Sequence, residues 1–376
     1  MKQYEEVFFS VLRTALWGHP LDIPEGFKDW GKVMKLAKTQ ALTGLVGDVM
    51  LTTPRILNSL PEQAVAVLQE IPLNNMAMHT TLNNTLILVV TTLREHGIEP
   101  VLLKGQGIAS YYPVPQLRQC GDIDLYVGED NYEKAYDVLL TLVSEIDDKE
   151  KIWGWMHFHA KVGSALLEIH HELEYAFKQS YESLFRSRAS SGLTENLVTI
   201  DFGGLKVKTP EHNFNTFYVF YHLWRHYAAS GVGLRQICDW MFLLNARRED
   251  VNLEYLDSFI KGMELMAPWQ TFGCILVDYL GMPQHCFPFY NPAKRKKAAR
   301  LLKMILREGN FGHSGSYSRV RRNSYLYEKW FSFKCHISRL YNMFMIFPYQ
   351  SSVRFMHMIK EGFRQVFKDL KAKLRK

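Results

Sequence analysis

The feature that most constrains the fold is a strand-like segment in which two aspartates alternate with apolar residues. Residues 121–127 read Gly-Asp-Ile-Asp-Leu-Tyr-Val. In an extended strand Asp122 and Asp124 share one face, and the apolar residues between and after them face the core. Two like charges on one face of a strand destabilise it unless a cation offsets them. The segment therefore predicts a buried strand whose two carboxylates bind one divalent metal ion or bridge a pair of them.

A second feature precedes this strand and indicates a phosphate site. The apolar run Val101–Leu103 ends at Lys104 and Gly105. A helix that begins at this glycine would present free backbone N–H groups to an anion. The segment is not a Walker loop, because the glycine spacing and the terminal Lys-Ser/Thr are absent.

A third carboxylate is predicted on a neighbouring hairpin. Residues 153–160 alternate, residues 161–164 offer a turn, and residues 165–173 read as the returning strand. On that strand Glu168 and His170 share the polar face. The hairpin would place Glu168 beside the two aspartates, with His170 as its neighbour.

Further histidines surround this hairpin. His157 and His159 lie on one face of the predicted strand, and the pair His170-His171 follows nearby. A zinc site is one interpretation, but no cysteine or Glu-x-x-His spacing supports it. We favour histidines that line the same cleft.

Two helices beyond the hairpin are expected to wall the cleft. Thr209 as a cap, followed by a proline, predicts a long helix on which His222 and His226 are one turn apart. The next helix carries Arg235 and Asp239 as an i, i+4 pair. A solvated ion pair with partly buried histidines is the simpler interpretation. In the functional interpretation, His226 and Arg235 contact the nucleotide or the acceptor.

These motifs together resemble the bacterial nucleotidyltransferase-like proteins of the polymerase β superfamily. The resemblance is carried by Leu-Leu-Lys-Gly, a helix ending in Tyr-Tyr-Pro, an arginine, Gly-Asp-Ile-Asp-Leu and Leu-Glu-Ile-His. It covers roughly residues 100–172, and a looser likeness extends over roughly residues 30–245. The likeness is to a poorly characterised group that has Leu-Lys-Gly in place of the superfamily's usual Gly-Ser.

The resemblance implies a metal-dependent transferase that moves a nucleoside monophosphate from an NTP, with ATP expected, to an acceptor hydroxyl and releases pyrophosphate. It implies that Asp122, Asp124 and Glu168 hold two Mg²⁺ or Mn²⁺ ions, and that Glu168 also helps to deprotonate the acceptor. It implies that Gly105 lies against the phosphates. Nucleotide or phosphate contacts are also expected for Lys104, Gln106, Arg118 and Gly121, and either Lys104 or Arg118 could neutralise charge on a triphosphate. Gln106 stands where the superfamily usually has Ser, which leaves room for an altered or lost activity.

Other functions stay open at this point. A glycosyltransferase could use Asp-Ile-Asp to hold a metal and a nucleotide sugar, and it would not require Glu168. A non-catalytic relative would bind NTP or RNA without releasing pyrophosphate. A partner-binding protein with a vestigial cleft would not be stabilised by nucleotide and divalent ion. The acceptor is equally open among a sugar, a lipid head group, a protein hydroxyl and an RNA end.

Charge is distributed unevenly along the 376 residues. Residues 291–376 contain 21 Lys and Arg against 4 Asp and Glu, whereas residues 1–290 contain 24 against 34. A basic helix is expected over residues 294–307, three arginines (Arg319, Arg321, Arg322) follow a Gly/Ser-rich loop, and residues 359–374 read as a basic amphipathic helix. This region is expected to meet an anionic membrane surface, nucleic acid or the acidic remainder of the chain.

Composition also bears on the compartment. The five cysteines show no paired spacing, which favours a reducing environment. No apolar run approaches the roughly 20 residues of a membrane span. Glu5 and Glu6 stand where an export signal needs positive charge. We expect a cytoplasmic protein, with peripheral contact at the inner membrane surface as a further expectation.

The predicted fold class is α+β, a small mixed nucleotidyltransferase-type sheet flanked by helical regions at both ends. Apolar spacing predicts helices over residues 4–17, 30–51 and 61–96. The predicted regions are an N-terminal helical region (1–97), the α/β core (98–208), a helical region that walls the cleft (209–290) and a basic helical region (291–376).

Overall fold

A mixed sheet carries the predicted site residues in this computed structural model, which describes residues 1–310 and 325–374. Among these residues the sheet has seven strands in the order β3-β4-β5-β2-β1-β7-β6. The strands are β1 (Val101–Leu103), β2 (Ile123–Tyr126), β3 (Glu145–Ile146), β4 (His157–Val162), β5 (Ala165–His170), β6 (Val198–Phe202) and β7 (Leu205–Thr209). The α+β class is thus confirmed.

Helices precede, interrupt and follow the sheet. They are α1 (Gln3–Trp17), α2 (Trp30–Thr39), α3 (Thr43–Thr52), α4 (Pro54–Leu57), α5 (Glu62–Glu95), α6 (Gly105–Ala109), α7 (Tyr132–Leu139), α8 (Gln179–Gly192), α9 (His212–Ala229), α10 (Leu234–Ala246), α11 (Leu253–Gly262), α12 (Met266–Asp278), α13 (Arg295–Glu308), α14 (Tyr325–Phe344) and α15 (Pro348–Leu374). Short 3₁₀ turns lie at Pro115–Leu117, Lys149–Gly154, Gln284–Cys286 and Pro292–Lys294.

Strand pairing brings the predicted acidic residues together. β2 runs antiparallel to β1 and parallel to β5. In this register Asp124 is paired with Leu103 on one side and with Glu168 on the other. The predicted hairpin is present as β4 and β5, joined by a turn in which Gly163 has a φ of +58°. Asp124 and Glu168 are therefore side by side on adjacent strands.

The apolar side of these strands is anchored in a core of its own. Ile123 and Leu125 of β2, together with Leu167 and Ile169 of β5, are fully buried against α5 and α7. Each such side chain contributes about 1.5–3 kcal/mol when it leaves water. Because these residues alternate with Asp124 and Glu168, their burial directs the carboxylates to the opposite face of the sheet.

A second core packs the amino-terminal helices against the later ones. It includes residues of α1, α2 and α3 together with residues of α9, α10 and α12. The predicted helix over residues 30–51 is wrong as a single element, because it breaks between α2 and α3. Gln40 at the break is fully buried and explains it: its amide donates to the Ile305 carbonyl and accepts from the Leu234 N–H. These tertiary hydrogen bonds outweigh the helical spacing of the sequence.

Two other predicted boundaries are wrong. The strand expected from residue 153 begins only at His157, because residues 149–154 form a 3₁₀ turn. Thr209 does not cap α9, since it ends β7. The cap is Glu211, whose carboxylate accepts hydrogen bonds from the backbone N–H groups of Asn213 and Phe214.

The basic carboxyl-terminal region is helical where the structure describes it. The helix predicted over residues 294–307 is present as α13, and the one predicted over residues 359–374 is the last part of α15. The predicted arginine cluster (Arg319, Arg321, Arg322) lies outside the described residues, as do most side chains beyond residue 360. Among the described helices, none has both the length and the apolarity to cross a bilayer.

Candidate active site

A cavity of about 330 Å³ lies over the polar face of β2 and β5, with α9 and α10 as its far wall. The predicted site residues that line it are Lys104, Gly105, Arg118, Gly121, Asp122, Asp124, Glu168, His170, His226 and Arg235. Gln106 and His159 are not among its lining residues. The cavity also includes His157, Glu174 and His222. Residues separated by more than a hundred positions thus meet at one site.

Lys104 is held in the cavity by an unusual backbone conformation. Its φ is +43°, in a turn between β1 and α6 where a non-glycine residue is strained by about 1–3 kcal/mol. The turn places Lys104 Nζ 3.1 Å from Asp124 Oδ1. Burial opposes the charged ammonium, but Asp124, Glu174 and Glu168 raise its pKa well above the usual value. Lys104 is therefore a fixed positive charge inside the site.

The cavity is lined by three carboxylates, those of Asp122, Asp124 and Glu168. Neighbouring charges shift the pKa values of both aspartates. The negative charge of Asp124, burial and the charge of Glu168 raise the pKa of Asp122. Burial would also raise the pKa of Asp124, but Lys104 and His170 hold it well below its usual range. Asp124 is thus ionised and partnered, whereas Asp122 repels its neighbours. A divalent cation would relieve that repulsion.

Three imidazoles surround the Glu168 carboxylate. Nε2 of His170 lies 3.5 Å and Nε2 of His157 lies 3.8 Å from Glu168 Oε2, while Nε2 of His159 lies 3.7 Å from Oε1. His170 Nε2 is also 3.1 Å from Asp124 Oδ1. Burial and the neighbouring His170 lower the pKa of His157 to about 4. Burial would lower the pKa of His170, but its hydrogen bonds to Asp124 and Glu168 raise it. Imidazole nitrogens and carboxylate oxygens are therefore concentrated at this point.

The wall formed by α9 contributes a second buried charge pair. His222 Nδ1 donates to Glu174 Oε1 at 2.6 Å, and Arg225 Nε lies 3.4 Å from Glu174 Oε2. Burial alone would raise the pKa of Glu174, but these partners lower it to about 2. His222 and His226 contact each other through their Nε2 atoms at 3.0 Å. Sequence reasoning found the two histidines but missed Glu174, which continues the alternation of Glu168, His170 and Glu172 beyond the end of β5.

Arg118 is engaged in a buried ion pair. It donates from Nε and Nη2 to both carboxylate oxygens of Asp239, at 2.7 and 2.9 Å. Tyr112 donates its hydroxyl to the same carboxylate. The predicted pairing of Asp239 with Arg235 is wrong, because Arg235 donates instead to the backbone carbonyl of Gln119. Sequence spacing did not reveal this, since Arg118 and Asp239 come from distant segments.

Gln106 lies on the other side of its short helix. Its amide donates to Asn83 Oδ1 at 2.6 Å and accepts from the Cys120 thiol at 3.1 Å. Cys120 Sγ also lies 2.9 Å from His79 Nε2. Burial raises the pKa of Cys120 and lowers that of His79, so the pair does not form a reactive thiolate. This cluster fixes the segment that leads into β2.

The carboxylates of the site are of a kind that binds divalent metal ions. Asp124 on β2 and Glu168 on β5 lie side by side, Asp122 comes directly before β2, and hard cations such as Mg²⁺ prefer oxygen ligands. The negative charges of Asp124 and Glu168 both raise the pKa of Asp122. Such an arrangement is chemically suited to bind a polyphosphate through bridging cations.

Comparison with known proteins identifies the family of this chain. Residues 27–276 match the family model described as uncharacterised nucleotidyltransferase. No curated protein matches the sequence. The chain is similar to the solved structure of an antigenic nucleotidyltransferase-like protein from Paracoccidioides brasiliensis, with 14% sequence identity and a TM-score of 0.32. The similarity covers 54% of this chain and 92% of that protein.

Proposed function

The chain belongs to the uncharacterised nucleotidyltransferase family, and we propose that it transfers a nucleoside monophosphate from an NTP to an acceptor hydroxyl and releases pyrophosphate. ATP is the expected donor. The convergence of Asp122, Asp124 and Glu168 on one cavity beside Lys104 carries the proposal. A family match alone would not, because function depends on the site rather than on the fold.

In this proposal some residues bind the metal ions, and Lys104 neutralises charge on the phosphates. Asp122, Asp124 and Glu168 would hold two Mg²⁺ or Mn²⁺ ions. When bound, the ions would neutralise charge on the α-phosphate and on the leaving oxygens. Lys104 contributes a cation that needs no metal, and burial strengthens its interaction with phosphate oxygens.

The chemical step is an in-line displacement. The acceptor oxygen forms a bond to the α-phosphorus as the bond from that phosphorus to the pyrophosphate oxygen breaks. The proton of the acceptor hydroxyl passes to Glu168. The pyrophosphate leaves with the electron pair of the broken bond, and Lys104 offsets its charge.

A non-catalytic nucleotide-binding role is the second candidate. The ion pair of Lys104 with Asp124 favours it, because the lysine competes with a metal ion for the Asp124 carboxylate. Such a protein would bind an NTP but would release no pyrophosphate.

Incubation with each α-³²P-labelled NTP, Mg²⁺ or Mn²⁺ and a cell extract tests the proposal. The wild type should label an acceptor and release pyrophosphate, and Asp122→Asn/Asp124→Asn should not. The matched control is Glu129→Gln/Asp130→Asn, which removes the same number of charges from exposed positions just after the same strand. This control should retain labelling.

The possible outcomes separate the candidates. Equal labelling by the wild type and the Asp122/Asp124 variant would refute the mechanism. Nucleotide binding without pyrophosphate release would favour the second candidate. Labelling from nucleotide sugars rather than from NTPs would favour a glycosyltransferase, as would full activity of Glu168→Gln.

A further inference from the structure

The imidazoles around Glu168 form a nitrogen-rich corner of the cavity, distinct in chemistry from the carboxylates of β2. The antiparallel hairpin creates it, because β4 and β5 pair His157 with His170 and His159 with Glu168. Alternate residues of both strands therefore face the same side of the sheet. The rings of His157 and His170 lie 4.7 Å apart between their centroids.

Hydrogen bonds to the far nitrogens orient two of these rings. His170 Nδ1 lies 3.3 Å from the backbone carbonyl oxygen of Glu172, and His159 Nδ1 lies 2.9 Å from Asp147 Oδ2. Both oxygens are acceptors, so Nδ1 carries the proton in each ring. When Nε2 carries no proton, its lone pair is directed toward Glu168 and is available to a metal ion. Without an ion, Nε2 of His170 can instead donate to Asp124 Oδ1 at 3.1 Å. Proteins orient metal-binding histidines in this way, through a carbonyl or carboxylate on the other nitrogen.

The distances fit a single ion. One ligand atom each from His157, Glu168 and His170 lies within 4.8 Å of the other two. Metal–ligand bonds of about 2.0–2.2 Å require only small side-chain shifts from this arrangement. Two imidazole nitrogens and one carboxylate oxygen favour late first-row ions over Mg²⁺. Two histidines with one glutamate are a ligand set of catalytic Zn²⁺ sites.

We propose that His157, Glu168 and His170 bind a divalent transition-metal ion, for which Zn²⁺ fits best. This inference deepens the proposed function and rests on it in one respect: the ion shares Glu168 with the nucleotidyl-transfer site. Glu168 Oε2 faces His157 and His170, whereas Oε1 faces His159. One oxygen can therefore bind the ion while the other takes the acceptor proton. In this arrangement the transition-metal ion takes the place of one of the two Mg²⁺ ions, and Asp122 and Asp124 keep an oxygen-only position for the other.

The competing arrangement needs no metal. A doubly protonated His170 shared between Asp124 and Glu168 would also satisfy both carboxylates, since its Nε2 is 3.1 Å from one and 3.5 Å from the other. That arrangement predicts no selective Zn²⁺ binding at His157.

Calorimetric titration of the chelator-treated full-length chain with Zn²⁺, in excess Mg²⁺, distinguishes the metal site from the metal-free arrangement. The visible spectrum of the Co²⁺ form is a second readout of the ligands. We expect one tight Zn²⁺ per chain, and His157→Ala and Glu168→Gln should each weaken it at least about tenfold. His96→Ala is the matched control, because exposed His96 also bonds a backbone carbonyl, that of Thr92, through Nδ1. It should leave both readouts unchanged.

Equal Zn²⁺ affinity of the wild type and His157→Ala would overturn the inference, as would displacement of Zn²⁺ by Mg²⁺ at millimolar concentration. The thermal unfolding midpoint in chelator checks folding, and His157→Asn replaces His157→Ala if the latter does not fold. Zn²⁺ binding at His157 without any nucleotidyl transfer would refute the proposed function and leave the ion site intact. Transfer with Mg²⁺ alone, together with equal Zn²⁺ affinity of the wild type and His157→Ala, would refute the ion site and leave the function intact.

Discussion

Lys104 Nζ lies 3.1 Å from Asp124 Oδ1 in a cavity where both side chains are largely shielded from water. The ammonium therefore occupies the space beside a carboxylate that is proposed to bind metal. Within the site a lysine and a divalent ion compete for the same oxygen, yet both would neutralise a bound triphosphate. Removal of the lysine should consequently affect metal binding and catalysis in opposite directions.

Lys104→Met tests this relationship. We expect Mn²⁺ to bind about tenfold more tightly, because a competing charge worth about 1.4 kcal/mol or more is gone. Nucleotidyl transfer should fall by about 100-fold, because a buried cation that stabilises developing charge is lost. Electron paramagnetic resonance of free Mn²⁺ measures the first effect, and pyrophosphate release measures the second.

The control is Lys161→Met, which removes a lysine from an exposed pair with Glu145 on the same sheet. Neither Mn²⁺ binding nor nucleotidyl transfer should change in this variant. A Lys104→Met protein with weaker Mn²⁺ binding would contradict the competition.

The buried pair of Arg118 and Asp239 should dominate stability near the cavity. Asp239→Asn leaves the Arg118 guanidinium buried without a counter-charge, so we expect the free energy of unfolding to fall by about 3–5 kcal/mol. Urea unfolding at pH 7 measures it. Glu99→Gln breaks an exposed pair with Arg94 and should cost at most about 1 kcal/mol. Similar losses in the two variants would show that burial does not set the strength of the pair.

The same pair predicts a pH dependence. Burial would raise the pKa of Asp239, but Arg118 lowers it below its usual value. A group with a lowered folded-state pKa stabilises the protein above its unfolded pKa, near 3.9, and loses that contribution as the pH falls through the folded value. The stability gap between the wild type and Asp239→Asn should stay constant from about pH 8 to 5 and narrow below about pH 4. Chemical unfolding repeated across this range checks the sign.

Gln106→Ser restores the residue that the superfamily usually has, but it should not improve activity. The Gln106 amide bonds Asn83 and Cys120 in a buried cluster, and serine is too short to reach both. We expect the free energy of unfolding to fall by about 1–3 kcal/mol, because buried polar groups are left without hydrogen-bond partners. Thermal unfolding and pyrophosphate release, measured side by side, test this. An active and equally stable variant would instead assign Gln106 to the phosphate site.

These contacts indicate what sequence patterns can predict here. The alternation around Asp124 and Glu168 predicted both strands and the face on which the carboxylates lie, because a period of two and a buried apolar side are local properties. The end of the apolar run also predicted a helix that begins at Gly105, and α6 begins there. The metal and nucleotide roles of these residues remain predictions.

Long-range partners could not be predicted in this way. Asp239 pairs with Arg118 rather than with Arg235, which is four residues away, because a bidentate carboxylate contact in a buried site outweighs a helical i, i+4 pair. Gln40 divides one predicted helix into two through hydrogen bonds to residues about 200 or more positions away. Both depend on tertiary packing that spacing does not encode.

Glycine positions give a test of packing that is independent of the cavity. A Cβ at Gly273 in α12 would overlap the ring of Phe287, so Gly273→Ala must displace a buried aromatic side chain. We expect it to destabilise the protein by at least about 2 kcal/mol. Gly31 is an exposed position in α2 where a Cβ would meet nothing within 4 Å. Gly31→Ala should stabilise by about 0.5–1 kcal/mol, since alanine is the better helix former. Urea unfolding of both variants should therefore give shifts of opposite sign, and a stabilised Gly273→Ala would contradict the packing of α12 against Phe287.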